Sequence, residues 1–215
     1  MEASVITCLI DETDPRFAPL RDKVISRSDT MEILWIEEVI NDALLAKFLL
    51  TKEDFELTCG GNNVEELQLF HGTKIECLRK IMQEGFKKSC NTRSAYGVGT
   101  YLAKDAITSL GYIVPDGEIH FLFLCDVLIG RKCLHTKPTK EIEYFDCFVD
   151  SEKNPTVYVV PHDAAIYPRY VIALGKSKNA NNISYATYRE TTQIPSVPKG
   201  TPLEKQSRSG FSRRR

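Results

Sequence analysis

The sequence predicts a single α+β domain, and three observations lead to that prediction. Short apolar segments rich in β-branched and aromatic residues follow one another, with few helical patterns and with long polar loops between them. A length of 215 residues suits one domain with extensions. A content of 42% hydrophobic and 27% charged residues is typical of a soluble globular protein.

Three zones follow one another along the chain. Residues 1–66 mix short apolar segments with charge and are expected to supply lead-in elements of the same domain. Residues 67–175 are denser in β-branched and aromatic residues and are expected to form its core. In residues 176–215 Ser, Asn, Thr and Pro dominate and the end is basic. This tail is predicted to be disordered, because it buries too little apolar surface to offset its ordering entropy.

Hydrophobic spacing and turn residues assign the elements in order. In the first zone they predict a helix over Asp14–Ser26, a strand over Ile33–Ile40 and a helix over Ala43–Leu50 that continues to Phe55. In the second zone they predict strand Leu67–His71 broken by Gly72, helix Thr73–Glu84 ended by Gly85, apolar run Thr100–Ala103, helix Asp105–Tyr112, and strands Ile119–Ile129, Thr156–Val160 and Tyr170–Leu174. The strand Ile119–Ile129 is nearly all apolar, which indicates burial on both faces.

Charge and hydropathy exclude several classes of protein. The formal net charge is −1, so the molecule as a whole has no strong attraction to nucleic acid or acidic membranes. The basic tail at Arg213–Arg215 could touch nucleic acid weakly or act as a nuclear signal, but a solvated tail is the favoured interpretation. No run of about 18 apolar residues is present, and an acid stands where a signal peptide needs a basic start. The protein is therefore expected to be intracellular, in the cytoplasm or the nucleus, with no membrane partner.

Cysteine and histidine spacing gives no sign of a metal or a disulfide framework. The seven cysteines include no C-x-x-C pair, and His120, His135 and His162 lack metal-ligand spacing. The sequence therefore predicts free thiols and no metal. Cys77 and Cys125 are expected to fill core positions as small hydrophobes.

Two glycine-containing segments are candidates for a binding site. His71-Gly72-Thr73 stands at a strand end, where glycine lets a flat ligand approach the backbone N–H and C=O. Gly97–Ala103 enters an apolar strand, and Ser109 and Tyr112 follow, three residues apart and on one face of a helix. A hydroxyl and an aromatic ring on one face suit a planar amide. A dinucleotide-binding glycine motif is the alternative, but its last glycine position holds Leu102 and a strand follows instead of a helix.

Together these segments resemble the catalytic domain of the poly(ADP-ribose) polymerase family, within the wider diphtheria-toxin-like ADP-ribosyltransferase group. The resemblance covers roughly Asp14 to Gly175. Leu69–Thr73 looks like the family's first active-site strand, Gly97–Ala103 like the glycine-rich segment entering the second, and Ile33–Asn41 like the lead-in strand. The resemblance implies split antiparallel β-sheets that form an NAD-binding cleft flanked by helices, with residues 67–175 as the catalytic core.

The resemblance also implies a role for each matching residue. His71 would hydrogen-bond the ribose on the adenine side of NAD. Gly72 would hold the nicotinamide carboxamide through its backbone, and Ser109 would donate to the same group. Tyr112 would stack on one face of the nicotinamide ring and Tyr101 would pack on the other. Such a site fixes the leaving group and shields an oxocarbenium-like carbon from water, with NAD as the co-substrate.

One position departs from the polymerising members of the family, which carry a glutamate on a late strand. The register of Thr156–Val160 puts Val157 there, and valine can neither act as a general base nor hydrogen-bond a ribose hydroxyl. Family members with an aliphatic residue at this position typically transfer a single ADP-ribose. The resemblance therefore predicts a monomeric mono-ADP-ribosyltransferase with protein acceptors. The alternative is a weak or inactive module of the same fold that binds NAD, ADP-ribose or a protein partner.

Overall fold

The computed structural model describes residues 5–25, 31–59, 64–90, 96–111, 119–134, 145–175 and 185–197. Its helices are α1 (Phe17–Ile25), α2 (Asp42–Cys59), α3 (Ile75–Glu84), α4 (Ala106–Leu110) and α5 (Tyr185–Thr192). Its strands are β1 (Ile6–Ile10), β2 (Glu32–Ile40), β3 (Glu65–Thr73), β4 (Thr100–Ala103), β5 (Ile119–Ile129), β6 (Lys132–Leu134), β7 (Cys147–Val149), β8 (Val157–Val160), β9 (Ile166–Gly175) and β10 (Ser196–Val197). Single 3-10 turns lie at Lys88–Cys90 and Asp163–Ala165.

The strands hydrogen-bond in the order β10-β1-β2-β9-β5-β3-β4-β8-β7-β6, so elements from all three predicted zones share one sheet. Neighbouring strands are antiparallel, except that β1 and β10, and β6 and β7, run parallel. Strand β3 pairs with β5 along its whole length but meets β4 at one residue pair, Phe70 with Ala103. The sheet is therefore divided at this junction into a larger and a smaller part. This agrees with the α+β fold and the split sheet that the resemblance implies.

Helices cover both faces of the larger part of the sheet. Phe48 of α2 and Met82 of α3 pack into the core on one face. Val24 of α1 and Ala106 of α4 pack on the other face. Strand β5 lies between these layers, and each of its residues is buried except His120, which is half-buried. The predicted two-sided burial of this strand is confirmed.

Glycine has different effects at the two places where the sequence predicts that it ends an element. Gly85 ends α3 as expected, because its φ of +81° is one that side chains rarely adopt and its N–H donates to the Ile81 carbonyl oxygen at 2.9 Å. Gly72 does not break β3, contrary to the prediction. It pairs with Leu122 of β5, and the long ladder to β5 outweighs the low strand preference of glycine.

The ends of the helices and the thiols bring further corrections. Helix α4 stops at Leu110, and Tyr112 lies outside the described residues. All seven cysteines are free thiols. Cys125 is buried as predicted, but Cys77 is exposed, because on α3 it lies about 100° round the helix from its buried neighbour Leu78. No helix in the described part of the chain is long and apolar enough to cross a membrane.

The prediction of a disordered tail is wrong for residues 185–197. Helix α5 docks on the sheet through Tyr188, which is fully buried and donates to the Glu37 carboxylate at 2.7 Å. Arg189 forms an ion pair with the same carboxylate at 3.0 Å, and β10 extends the sheet beside β1. The polar composition did not predict this docking, because the rings of Tyr185 and Tyr188 and one ion pair replace the usual apolar stripe of a docked helix. Residues 176–184 and 198–215 lie outside the described residues.

Candidate active site

His71 lies on β3 close to the junction with β4. Its Nδ1 atom is 2.8 Å from the carbonyl oxygen of Tyr101. A carbonyl oxygen can only accept, so Nδ1 carries the proton, and Nε2 of the neutral ring remains an acceptor. The ring of Phe86 packs edge-on against His71, with centroids 5.0 Å apart. The imidazole is thus oriented from two sides and offers one lone pair to a hydroxyl donor.

The electrostatic environment of His71 favours the neutral ring. Burial lowers its pKa below the ordinary value of 6.5, and the hydrogen bond to the Tyr101 carbonyl opposes this shift only in part. No charged group of the described residues contributes to the shift. The lowered pKa means that the neutral imidazole predominates at neutral pH.

We expect the affinity for NAD⁺ to fall on acidification in a way that His71 controls. Protonation turns Nε2 from an acceptor into a donor, and the lowered pKa places this change below pH 6.5. The dissociation constant, measured by calorimetry between about pH 5 and 8, should be constant near pH 8 and rise on acidification, with its midpoint below pH 6.5. The His71→Gln variant should lose this dependence. A midpoint above pH 6.5 would contradict the assigned environment. The free energy of unfolding should also fall on acidification. The pKa of His71 is lower in the folded state than in the unfolded state, so the unfolded state binds the proton more readily.

Ser109 lies on α4, buried against β3. Its hydroxyl donates to the carbonyl oxygen of Phe70 at 2.9 Å, and only 2% of the residue is exposed. Backbone groups two residues apart in a strand point to the same edge, so the N–H and C=O of Gly72 face the same direction as the Phe70 carbonyl. The Ser109 hydroxyl and the Gly72 backbone groups are therefore on the same edge of β3. Thr73, the last residue of β3, is also buried.

Tyr101 lies on β4 and contributes with both its backbone and its side chain. Its carbonyl oxygen fixes His71, as described above. Its hydroxyl donates to the Gly97 carbonyl oxygen at 2.9 Å and accepts from the Tyr96 N–H at 3.0 Å. The ring packs with Phe148 in a small cluster on one face of the smaller part of the sheet.

Val157 begins β8 and belongs to the same cluster as Tyr101. It pairs with Ala103 of β4, which pairs in turn with Phe70 of β3, and only 4% of it is exposed. The structure therefore brings β3, α4, β4 and the start of β8 together around the junction. Tyr112, the predicted stacking residue, lies outside the described residues.

Asp150 is the carboxylate bonded to the start of β8, and the sequence reasoning missed it. It accepts the N–H groups of Thr156 at 2.9 Å and of Val157 at 3.0 Å. Burial raises the pKa of Asp150, but the Thr156 hydroxyl also donates to the carboxylate, and together with the two N–H groups it outweighs burial and holds the pKa below its ordinary value. The carboxylate is ionised and committed to the β7–β8 connection. Phe86, the ring against His71, was also missed, and only its place directly after the helix-ending Gly85 could have drawn attention to it.

Comparison with known proteins defines the class. The family model of the poly(ADP-ribose) polymerase catalytic domain matches residues 20–146, more than half of the chain. The chain therefore belongs to this family, which confirms the resemblance. The matched residues include His71, Tyr101 and Ser109 and end before Val157.

Individual relatives carry names that specify single transfer. Protein mono-ADP-ribosyltransferase PARP12 of Mus musculus is 33% identical over 152 residues, which make up 66% of this chain and 21% of that protein. PARP12 of Homo sapiens is 34% identical over 147 residues, or 64% of this chain and 21% of that protein. Protein mono-ADP-ribosyltransferase PARP14 of Homo sapiens is 27% identical over 186 residues, or 79% of this chain and 10% of that protein. The chain thus spans about a fifth of the length of the PARP12 relatives.

Proposed function

We propose that this chain transfers one ADP-ribose unit from NAD⁺ to a protein side chain and releases nicotinamide. The observation that carries the proposal is the junction of β3 and β4. There His71 bonds to the Tyr101 carbonyl, Ser109 bonds to the carbonyl of Phe70 on β3, and the aliphatic Val157 begins the neighbouring strand β8. Family membership and the names of the PARP12 relatives support the same reaction.

The residues at the junction fit NAD⁺ by their chemistry. Nε2 of His71 is an acceptor for a ribose hydroxyl, and the backbone of Gly72 offers one donor and one acceptor to a carboxamide. The Ser109 hydroxyl donates to Phe70, so it can accept from the amide NH₂ group or turn its proton to the amide oxygen. In the reaction the bond between ribose C1′ and the nicotinamide nitrogen breaks, and its electron pair leaves with nicotinamide. The acceptor then forms the new bond to C1′ and contributes the electron pair.

The absence of a base at position 157 limits the acceptor. Valine cannot take a proton, and the Asp150 carboxylate is bonded to the backbone of Thr156 and Val157. An acceptor that is already anionic, such as a protein carboxylate, needs no base, and a thiol acceptor can react as a thiolate. We therefore favour anionic protein acceptors.

Incubation of the purified chain with labelled NAD⁺, followed by mass mapping, tests this function. We expect single ADP-ribose units on the chain itself or on lysate proteins, together with released nicotinamide. His71→Ala serves as the control for label that is not enzymatic. Calorimetric binding of NAD⁺ without nicotinamide release would instead favour a binding module of the same fold. If the chain neither binds NAD⁺ nor releases nicotinamide, the remaining interpretation is a protein-interaction domain of the same fold.

Val157→Glu is not expected to produce polymers. The residue at this position is 4% exposed and packs in an apolar cluster with Tyr101 and Phe148, so burial would favour the protonated form of a glutamate there, and a protonated carboxyl cannot accept a proton. Gel analysis of the labelled products should show single-unit modification, as for the matched aliphatic variant Val157→Leu. A ladder of long chains from Val157→Glu would contradict this assignment of the site.

A further inference from the structure

The side chain of Tyr101 folds back and hydrogen-bonds to the backbone at the start of the glycine-rich segment. Its hydroxyl accepts from the N–H of Tyr96, five residues earlier, and donates to the carbonyl oxygen of Gly97, four residues earlier. We propose that Tyr101 is a positioning residue, whose hydroxyl holds the Tyr96–Gly97 turn in place so that the segment and His71 are arranged before NAD⁺ binds. The proposal rests on the proposed function, and it assigns the hydroxyl a task separate from the ring.

The turn packs closely against the smaller part of the sheet, so its position there is narrowly defined. Gly97 has a φ of +111°, a conformation that side chains rarely adopt, and a Cβ there would lie 3.4 Å from the ring of Phe148. At Gly99 a Cβ would lie 2.8 Å from the backbone of Val160 on β8. Two glycines thus bring the segment onto the sheet, and the Tyr101 hydroxyl bonds it there.

The two hydroxyl bonds hold a part of the chain that has no regular strand ladder. Residues 96–99 precede β4 and have a turn and bends in place of a regular ladder, so side-chain bonds substitute for backbone pairing. Tyr101 itself is 9% exposed, and a hydroxyl in such a place is stabilised only where its partners are fixed. Here both partners are backbone groups of the turn, and the hydroxyl uses its donor and its acceptor at once.

The opposite end of the same residue holds His71. The Tyr101 carbonyl oxygen accepts from Nδ1 of His71 and thereby selects the tautomer that leaves Nε2 as an acceptor. A turn that comes loose frees the start of β4, and the carbonyl group that orients His71 moves with it. The hydroxyl therefore acts on NAD⁺ through His71 and the glycine-rich segment without touching the dinucleotide.

Tyr101→Phe separates the hydroxyl from the ring, since phenylalanine keeps the packing against Phe148. Tyr158→Phe is the matched control, because Tyr158 lies on the neighbouring strand β8, pairs with Leu102 and faces the other core cluster. The first measurement is hydrogen exchange of the full chain without NAD⁺. We expect the Tyr96 amide to exchange about tenfold faster or more in Tyr101→Phe, as for a lost hydrogen bond, and to be unchanged in Tyr158→Phe.

The second measurement separates positioning from chemistry and from general stability. Fewer molecules of Tyr101→Phe have the arranged site, so KM for NAD⁺ should rise about tenfold while kcat changes less than about twofold. Thermal unfolding is recorded for both variants. Tyr158→Phe should leave KM and kcat at the level of the unmodified chain.

Each outcome decides the proposal. If the Tyr96 amide exchanges at an unchanged rate in Tyr101→Phe, the Tyr101 hydroxyl does not hold the Tyr96–Gly97 turn, and the proposal is wrong. If the amide exchanges faster but KM for NAD⁺ is unchanged, the turn does not position the NAD⁺ site. If KM rises equally in Tyr101→Phe and Tyr158→Phe, the change reflects general stability and not positioning. If the unmodified chain neither binds nor cleaves NAD⁺, the proposed function fails, and the positioning role fails with it. In that case the exchange measurement still shows whether the Tyr101 hydroxyl holds the Tyr96–Gly97 turn.

Discussion

His71→Ala is expected to lower kcat/KM for NAD⁺ about 100-fold. The substitution removes the acceptor at Nε2 and also the bond from Nδ1 to the Tyr101 carbonyl. It leaves a space beside Phe86, whose ring packs edge-on against the imidazole. Steady-state release of nicotinamide measures the effect, and thermal unfolding shows how much of it is a loss of folded protein.

Two further variants assign the loss to one nitrogen or the other. His71→Asn places an amide donor near Nδ1 and can keep the bond to the Tyr101 carbonyl, but it offers nothing at the Nε2 position. His71→Gln reaches the Nε2 position with an acceptor and gives up the bond to Tyr101. We expect His71→Asn to be as inactive as His71→Ala and His71→Gln to retain part of the activity. Full activity of His71→Asn would show that Nε2 makes no contact with NAD⁺.

The central part of the fold was predictable because burial there is uniform along each strand. Strand β5 has the predicted bounds Ile119–Ile129, and its apolar run follows from helices packed on both faces. Helix α3 was predictable because Leu78 and Met82 have helical spacing and Gly85 supplies the terminal conformation. The short strands β6 and β7 were missed, because three residues are too few to show a period.

The candidate site was predictable where its residues are close in sequence and not where the fold brings them together. The His71-Gly72-Thr73 segment could be picked out because a histidine and a glycine at a strand end are unusual. The edge-on contact of Phe86 joins a loop to β3, and the Asp150 bonds join a loop to β8, so neither follows from local spacing. The hydroxyl bonds of Tyr101 depend on the turn conformation at Gly97, which composition does not specify.

The error about the C-terminal segment has a specific physical cause in the surroundings of Glu37. This carboxylate on β2 is fully buried and accepts hydrogen bonds from Tyr185 and Tyr188, and it pairs with Arg189. Burial, together with the charge of Glu37, raises the pKa values of both tyrosines, so they remain donors. The docking of α5 thus depends on a polar centre 148 residues or more away in sequence, which no local pattern reveals.

Glu37→Ala is therefore expected to lower the free energy of unfolding by about 3–5 kcal/mol, because it leaves Arg189 and the hydroxyls of Tyr185 and Tyr188 without their common buried acceptor. For a chain of this size the melting temperature should fall by roughly 10 °C, as measured by calorimetry. Glu37→Gln keeps the shape and an acceptor oxygen and should lose less. Glu66→Ala is the control, since its ion pair with Lys52 has side chains 41% and 37% exposed and should contribute under about 1 kcal/mol. If Glu37→Ala loses no more stability than Glu66→Ala, α5 is held by its aromatic packing alone.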